Sequence, residues 1–251
     1  MKSYPQQLHL FFNALSFFSR IPVPGWVDFR PDNQARALPY LPWVGLLIGV
    51  LSALVFWLCE SILPTSVALL LTIGAGILLT GGLHEDGLAD CCDGFGGGWQ
   101  RDKILQIMKD SQVGTFGVIG LVLVLLTKYE ALLQLEQIIP ALILGHTLSR
   151  LAPLLLVYRE SYVGLEQSSK SSALLTPPTR TQLLFAALPV LLCLLFLPAS
   201  YLSLIPLCLL ITLCMARYFR RWIGGYTGDC LGCCQQLCEL AIYLWLCLSW
   251  F

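Results

Sequence analysis

Three aspartates stand at i, i+4 and i+7 in the run Gly81-Gly82-Leu83-His84-Glu85-Asp86-Gly87-Leu88-Ala89-Asp90-Cys91-Cys92-Asp93-Gly94. On a helix of about 3.6 residues per turn this spacing puts Asp86, Asp90 and Asp93 on one face. Carboxylates so placed repel one another unless a cation joins them, and hard oxygen donors suit Mg²⁺ or Mn²⁺. Those ions bind through a few carboxylates and take further ligands from water and substrate phosphate. Seven of the twenty-one glycines lie between Gly81 and Gly98, where the backbone can approach a ligand closely. Arg101, Lys103, Lys109 and Asp110 follow. Carboxylates that hold a metal, beside cations that offset charge on a leaving phosphate, are what phosphoryl transfer requires. One acidic residue here would read as part of a solvated loop; a glycine-flanked triplet at helical spacing does not. No G-x-x-x-x-G-K-[ST] occurs, so a P-loop enzyme is not supported.

Other residues carry weaker signals. His84 could ligate metal or bind phosphate, or simply pack or cap a helix. Arg150 sits inside an apolar run with His146 four residues earlier on the same helical face. An intramembrane charge is costly and marks function by default, here substrate phosphate, with pairing to Glu239 as the structural alternative. Gly224-Gly225-Tyr226-Thr227-Gly228-Asp229 follows Arg217, Arg220 and Arg221. It reads either as a loop held at an anionic membrane surface or as a second phosphate or metal platform facing the first. Cys230-x-x-Cys233 with Cys91-Cys92 is not a standard four-ligand zinc pattern, and no second CxxC exists.

The elements that position these residues are membrane helices. Of 251 residues, 57% are hydrophobic and 12% charged, about half the usual charged fraction of a soluble domain. Tyr40 to Cys59 and Ser61 to Leu83 are uncharged and long enough to cross a hydrocarbon core of about 30 Å. Val113 to Leu135 forms a third span, with Lys128 and Glu130 snorkelling near its far end. Ile138 to Tyr158 forms a fourth, interrupted by Arg150. Thr181 to Ala216 is uncharged and too long for one span, so a hairpin at Pro198 yields a fifth and sixth. A seventh runs from about Leu237 to the terminus, with Glu239 at its entrance. The fold class is therefore an all-α polytopic helical bundle of about seven spans in a single domain, residues 1–251.

Thirteen of the fifteen basic residues fall in segments 1–38, 84–112, 159–180 and 217–236, leaving only Lys128 and Arg150. The positive-inside rule puts those segments, the N-terminus included, in the cytoplasm. Residues 84–112 are then a catalytic cytoplasmic loop, and 1–38 an interfacial segment with Phe11, Phe12, Phe17 and Phe18 against lipid. Asn13, Ser16 and Arg20 interrupt the only leader-like stretch, so no signal peptide is expected. Fifteen basic residues balance fifteen acidic ones, which leaves no field to hold nucleic acid. Cysteines on the cytoplasmic side stay reduced.

The run from Gly81 to His84, then Asp86-Gly87-Leu88-Ala89-Asp90 and Asp93-Gly94, resembles the signature of the cobalamin synthase family, the adenosylcobinamide-GDP ribazoletransferases. The likeness covers nearly the whole chain in order. Asn13 to Pro24 is similar to that family's N-terminal segment, and Ile107-Met108-Lys109-Asp110-Ser111 with Gly114 and Gly117 to its second motif. Ser149-Arg150 is similar to a third, and Thr227-Gly228-Asp229 with Leu231-Gly232 to a fourth. Glu85 departs from the family's usual apolar residue, Gln112 from a common basic one, and Gln236 from a frequent acidic one. The resemblance implies a Mg²⁺-dependent, multi-pass enzyme of the inner membrane with its active site facing the cytoplasm. It would join α-ribazole, or its 5′-phosphate, to adenosylcobinamide-GDP and release GMP.

On that reading the ribazole 3′-hydroxyl attacks the phosphorus attached to cobinamide. Asp86, Asp90 and Asp93 would hold Mg²⁺ on the pyrophosphate, Asp110 would ligate metal or orient the hydroxyl, and Lys109 and Arg101 would offset leaving-group charge. His84, Arg150, Gly228 and Asp229 are the further substrate-binding candidates. The same acidic arrangement resembles the CDP-alcohol phosphotransferases of lipid synthesis, but the chain lacks that family's Arg after the Ala and its full later Asp pair. A transporter would place its carboxylates at the membrane midplane on broken helices echoed in two halves, and no echo is visible.

Overall fold

The structure is a computed structural model that describes residues 5–164 and 176–248. Lys2, Lys170 and the end of the expected seventh span lie outside the described residues. Among the described residues, apart from one isolated bridge between Tyr162 and Tyr226, the regular structure is helical. The α-helices are α1 (Gln6–Phe18), α2 (Pro31–Ala35), α3 (Leu41–Glu60), α4 (Thr65–Thr80), α5 (Leu83–Gly97), α6 (Arg101–Met108), α7 (Thr115–Leu133), α8 (Ile138–Ser149), α9 (Leu151–Arg159), α10 (Arg180–Leu194), α11 (Leu204–Ile223) and α12 (Gly228–Leu246).

Four stretches are long and apolar enough to cross a membrane: Leu38–Glu60, Thr115–Leu133, Ile138–Arg159 and Ala199–Ile223. They make this a multi-pass membrane protein. A fifth arises if α4 and α5 count as one broken span, so the described helices give four or five candidate spans where seven were expected. Two physical reasons lie behind the difference. Helix α10 has only 15 residues and carries Pro189. Helix α12 carries Gln235, Gln236 and Glu239, all buried against protein, which lowers its apolar character.

The second expected span, Ser61 to Leu83, ends early. Helix α4 stops at Thr80 because Gly81 and Gly82 both take left-handed conformations, with φ of 68° and 70°. Side chains at such angles cost roughly 1–2 kcal/mol each, so two glycines in a row make an inexpensive elbow. The chain turns by 90° there, and Leu83 starts α5. Residues 84–112, expected as a loop, are therefore mostly α5 and α6.

Helix α1 also departs from expectation. Phe18 is buried, and Phe11, Phe12 and Phe17 pack partly buried on the core instead of facing lipid. The Phe12 ring meets Trp26 edge-on at 5.3 Å between centroids. The prolines and aromatic residues after α1 fold the segment back onto the bundle, which gives its rings protein partners. Three of the basic segments meet at one end of the molecule. Arg101 Nε donates to the Ile223 carbonyl at 2.9 Å, and Val163 N–H donates to the Tyr226 carbonyl at 2.9 Å.

Candidate active site

Helix α5 carries the acidic triplet and packs against α12 and α7. The α5–α12 contact is backbone to backbone. A Cβ at Gly87 would lie 2.8 Å from the Asp229 carbonyl oxygen and 3.0 Å from its Cα, and one at Gly232 would lie 3.1 Å from the His84 oxygen. Thr227 holds the start of α12, accepting from the Cys230 N–H at 3.3 Å and donating to Asp229 Oδ2 at 3.2 Å. Asp229 is thereby brought to the aspartates of α5. These groups lie outside the spanning helices, on the perpendicular α5 and in the first turn of α12. Burial, then the charges of Asp229, Asp86 and Asp93, push the Asp90 carboxyl up to about 7. Burial pushes Asp229 up to about 6, against its Thr227 hydrogen bond and with help from Asp86.

The three α5 aspartates have different surroundings. Asp86 is exposed, Asp90 half-buried and Asp93 buried. Asp93 reaches the start of α7, where Oδ2 accepts from the Gly114 N–H at 2.7 Å and Oδ1 from the Gly117 N–H at 2.8 Å. Those amides belong to a helix whose own N-cap residue, Gly114, has no side chain to satisfy them. Asp93 thus serves as a cap supplied from another helix.

Asp86 borders two cavities. A chamber of about 840 Å³ lies between α1 and the α4–α5 elbow, with Arg20, Gly81, Gly82 and Glu85 also in its wall. A smaller cavity of about 130 Å³ brings Asp86 together with His84, Gly228 and Asp229. His84 is buried with Nε2 unpartnered, and burial holds its imidazole well below the ordinary value, hence neutral. Asp86, Asp90, Asp229, His84 and Gly228 therefore share one region.

Other candidates are not brought there. Arg101 spends Nε on the C-terminus of α11 and meets Asp102 at 3.7 Å. Lys109 and Asp110 are exposed beyond α6, where Asp110 Oδ1 accepts from the Gln112 N–H at 3.0 Å, and neither borders either cavity. Arg150 is 1% exposed at the junction of α8 and α9. Its Nη1 donates to the His146 carbonyl at 2.9 Å, and its Nε is unpartnered. It borders a separate buried pocket of about 30 Å³, room for about one water.

That pocket belongs to a polar network the sequence did not reveal. Lys128, expected to snorkel, is buried instead and donates to Gln236 Oε1 at 2.6 Å and Glu239 Oε1 at 3.0 Å. Its inward turn follows from having a carboxylate partner inside the bundle. Glu239 also accepts from Gln235 at 2.5 Å and Tyr243 at 3.2 Å, and Gln236 donates to Glu85 at 2.9 Å. Lys128 on α7, Gln236 on α12 and Glu85 on α5 so tie together the three helices that hold the aspartates. The bonds between helices join residues 108 to 151 positions apart, which leaves no local signal of the network in the sequence.

The described cysteines are all free. Among the described residues no group of three His, Cys, Asp or Glu side chains is drawn together tightly enough to hold a metal. The donor chemistry nevertheless suits a hard cation, since carboxylates raised by burial and then by one another's charge are neutralised by one. Ions such as Mg²⁺ need only one or two of them, with substrate phosphates completing the shell.

Residues 10–247 match the family described as cobalamin-5-phosphate synthase. An adenosylcobinamide-GDP ribazoletransferase of Shewanella frigidimarina (strain NCIMB 400) is 46% identical over 246 residues, covering 95% of this chain and 94% of that one. Its namesake in Shewanella amazonensis (strain ATCC BAA-1098 / SB2B) is 43% identical over 258 residues, covering 100% and 99%. No solved structure matches this chain. A family model matched over residues 10–247, together with relatives more than 40% identical along nearly the whole length, shows that the protein belongs to the cobalamin-5-phosphate synthase family.

Proposed function

We infer that membership of the family carries its activity: the chain is an adenosylcobinamide-GDP ribazoletransferase, which performs the final assembly step of cobalamin. It joins α-ribazole, or its 5′-phosphate, to adenosylcobinamide-GDP and releases GMP. The observation that carries the site is that Asp86 borders both cavities and Asp229 the smaller one, with Asp90 close enough to feel both charges. Mg²⁺ would be held chiefly by Asp86 and Asp229, with Asp90 beside them. When bound it supplies charge neutralisation on the diphosphate and on the departing GMP.

The chain's own groups do the rest. Asp90, half-buried beside Asp86 and Asp229, is the carboxylate we assign to take the proton of the attacking hydroxyl. Neutral His84 can accept or donate a hydrogen bond to substrate in the smaller cavity without adding charge. Asp93 holds α7 against α5 and keeps the face of the triplet fixed. Arg150 and the Lys128 network lie beneath α5 and support it from the bundle interior. Four or five spans are apparent by length and composition; we propose seven, with α4, α10 and α12 beyond its first turns included, α5 outside the spans and the basic segments cytoplasmic.

Purified protein in detergent or nanodiscs should release GMP from adenosylcobinamide-GDP only when α-ribazole and Mg²⁺ are both present. Turnover undiminished by EDTA would overturn the metal assignment, and no GMP release under any condition would overturn the activity. Sidedness needs engineered thiols, because Cys91 and Cys230 are buried. A cysteine placed at the exposed Gln100 or Lys103 should resist a membrane-impermeant reagent in intact cells and react in inverted vesicles.

A further inference from the structure

The large chamber beside α5 contains one cation that none of the roles above uses. Arg20 leaves the end of α1 and runs across the α4–α5 elbow. Its backbone is fixed: Arg20 N–H donates to the Leu79 carbonyl at 2.7 Å, and Ser19 Oγ, bonded to the Leu15 carbonyl at 2.6 Å, accepts from the Ile21 N–H at 3.2 Å. Its side chain lies where Gly81 has none. A Cβ on Gly81 would sit 2.5 Å from Arg20 Nε, 3.0 Å from Cγ and 3.2 Å from Cδ. Gly81 thus does two things, making the left-handed turn and leaving a track for the arginine.

The charges around the chamber are unequal in kind. Its wall holds Arg20 as the cation and Glu85 and Asp86 as the carboxylates. The Glu85 carboxylate turns inward to Gln236, at 2.9 Å. Among the described residues no carboxylate lies within 4 Å of the Arg20 guanidinium, whereas Arg30, Arg101, Arg159 and Arg220 each have one. An exposed guanidinium on an anchored backbone, with no carboxylate within 4 Å among the described residues, lines the same chamber as Asp86. A group with several anionic oxygens suits that arrangement, bridged by the aspartate-held cation on one side and a planar guanidinium fork on the other.

From this geometry we propose that Arg20 binds the diphosphate of the nucleotide-bearing substrate, and that the chamber between α1 and the elbow receives that nucleotide end. The proposal rests on the transferase reading for the substrate's identity. It adds the residue that grips the donor and separates the donor's chamber from the smaller cavity at His84, Gly228 and Asp229. Loading the two substrates into different cavities that meet at Asp86 would set the hydroxyl opposite the departing nucleotide, as an in-line displacement needs.

The test pairs kinetics with binding, using the full protein in nanodiscs. Arg20→Ala should raise the KM for adenosylcobinamide-GDP and the Kd for Mg·GDP, used as an unreactive probe, by about 10- to 100-fold. The KM for α-ribazole, the Mg²⁺ concentration for half activity and the melting temperature should stay near parental, because Arg20 is exposed and pairs with no carboxylate. Arg20→Lys should recover only part of the affinity, since an ammonium lacks the bidentate fork. Unchanged Mg·GDP affinity in Arg20→Ala, or equal losses for both substrates, would overturn the assignment. If the parent protein binds Mg·GDP through Arg20 yet releases no GMP from the cobinamide donor, the anion site stands and the transferase reading fails. Normal turnover with Arg20→Ala indistinguishable from parent has the opposite meaning.

Discussion

Asp86 and Asp93 lie two turns apart on one helix, and the structure gives them opposite burdens that a pair of conservative substitutions can separate. In Asp93→Asn the side chain keeps one carbonyl oxygen and presents an amide to the other of the two N–H groups it now satisfies at 2.7 and 2.8 Å. One charge-assisted hydrogen bond is lost, worth roughly 1.5–3 kcal/mol, and a donor is left facing a donor. Loss of negative charge at the α7 N-terminus adds about 0.3–1 kcal/mol. The total is about 2–4 kcal/mol. Asp86→Asn alters an exposed carboxylate and should move stability by no more than about 0.5 kcal/mol. Its turnover should nevertheless fall by at least ~10²-fold, about 2.7 kcal/mol of transition-state stabilisation.

Tryptophan fluorescence in nanodiscs reads the first quantity and GMP release the second. Asp93→Asn should melt several degrees below the parent and lose activity in step with folded protein, whereas Asp86→Asn should melt with the parent and be nearly inactive. If Asp93→Asn is as stable as the parent while equally inactive, Asp93 acts on substrate or metal and the capping argument is wrong.

Raised carboxyls at Asp90, about 7, and Asp229, about 6, favour the cation-free fold below their unfolded values near 4 and lose that contribution as pH rises through 6–7. Mg²⁺ must displace those protons, so it should raise the melting temperature more at pH 8 than at pH 5.5; an equal effect at both would detach the metal from this cluster. Gly87→Ala should cost about 1–3 kcal/mol and nearly abolish turnover, because the new methyl presses on Asp229 backbone; a stable, active variant would mean the α5–α12 contact is loose. Lys128→Met or Glu239→Gln alone should destabilise by roughly 3–5 kcal/mol and the double variant by less than the sum, measured by thermal unfolding; additivity would show the pair to be uncoupled.

Periodicity alone carried the reading of α5, since three carboxylates at i, i+4 and i+7 fix a face whatever surrounds them. The spans at α3, α7 and the α8–α9 pair were equally legible, because each is a predominantly apolar run of the right length with at most two charges. What stayed hidden depends on pairs distant in sequence. Asp93 and the α7 amides are 21 and 24 residues apart, and Lys128 and Glu239 are 111 apart. Lys128 near one end of an apolar run looks identical in sequence whether it snorkels or turns inward; only a buried carboxylate decides. The elbow was hidden for a different reason: Gly81-Gly82 ends an apolar stretch that continues into Leu83, so hydropathy runs past the turn that the backbone makes.

Glu85 and Gln236 belong to the same network, and in the folded chain Gln236 donates to Glu85 at 2.9 Å. Gln236 also accepts from Lys128 at 2.6 Å, so its amide spends its oxygen on the ammonium and its nitrogen on the carboxylate. An acidic residue at 236 could serve Lys128 directly, but beside Glu85 it would set two buried carboxylates against each other. A glutamine there instead relays between cation and anion, with Glu85 supplying the negative charge from the neighbouring helix. Because Glu85 precedes Asp86 in the chain, its bond to Gln236 anchors the start of α5 to the bundle, which an apolar residue at 85 could not do.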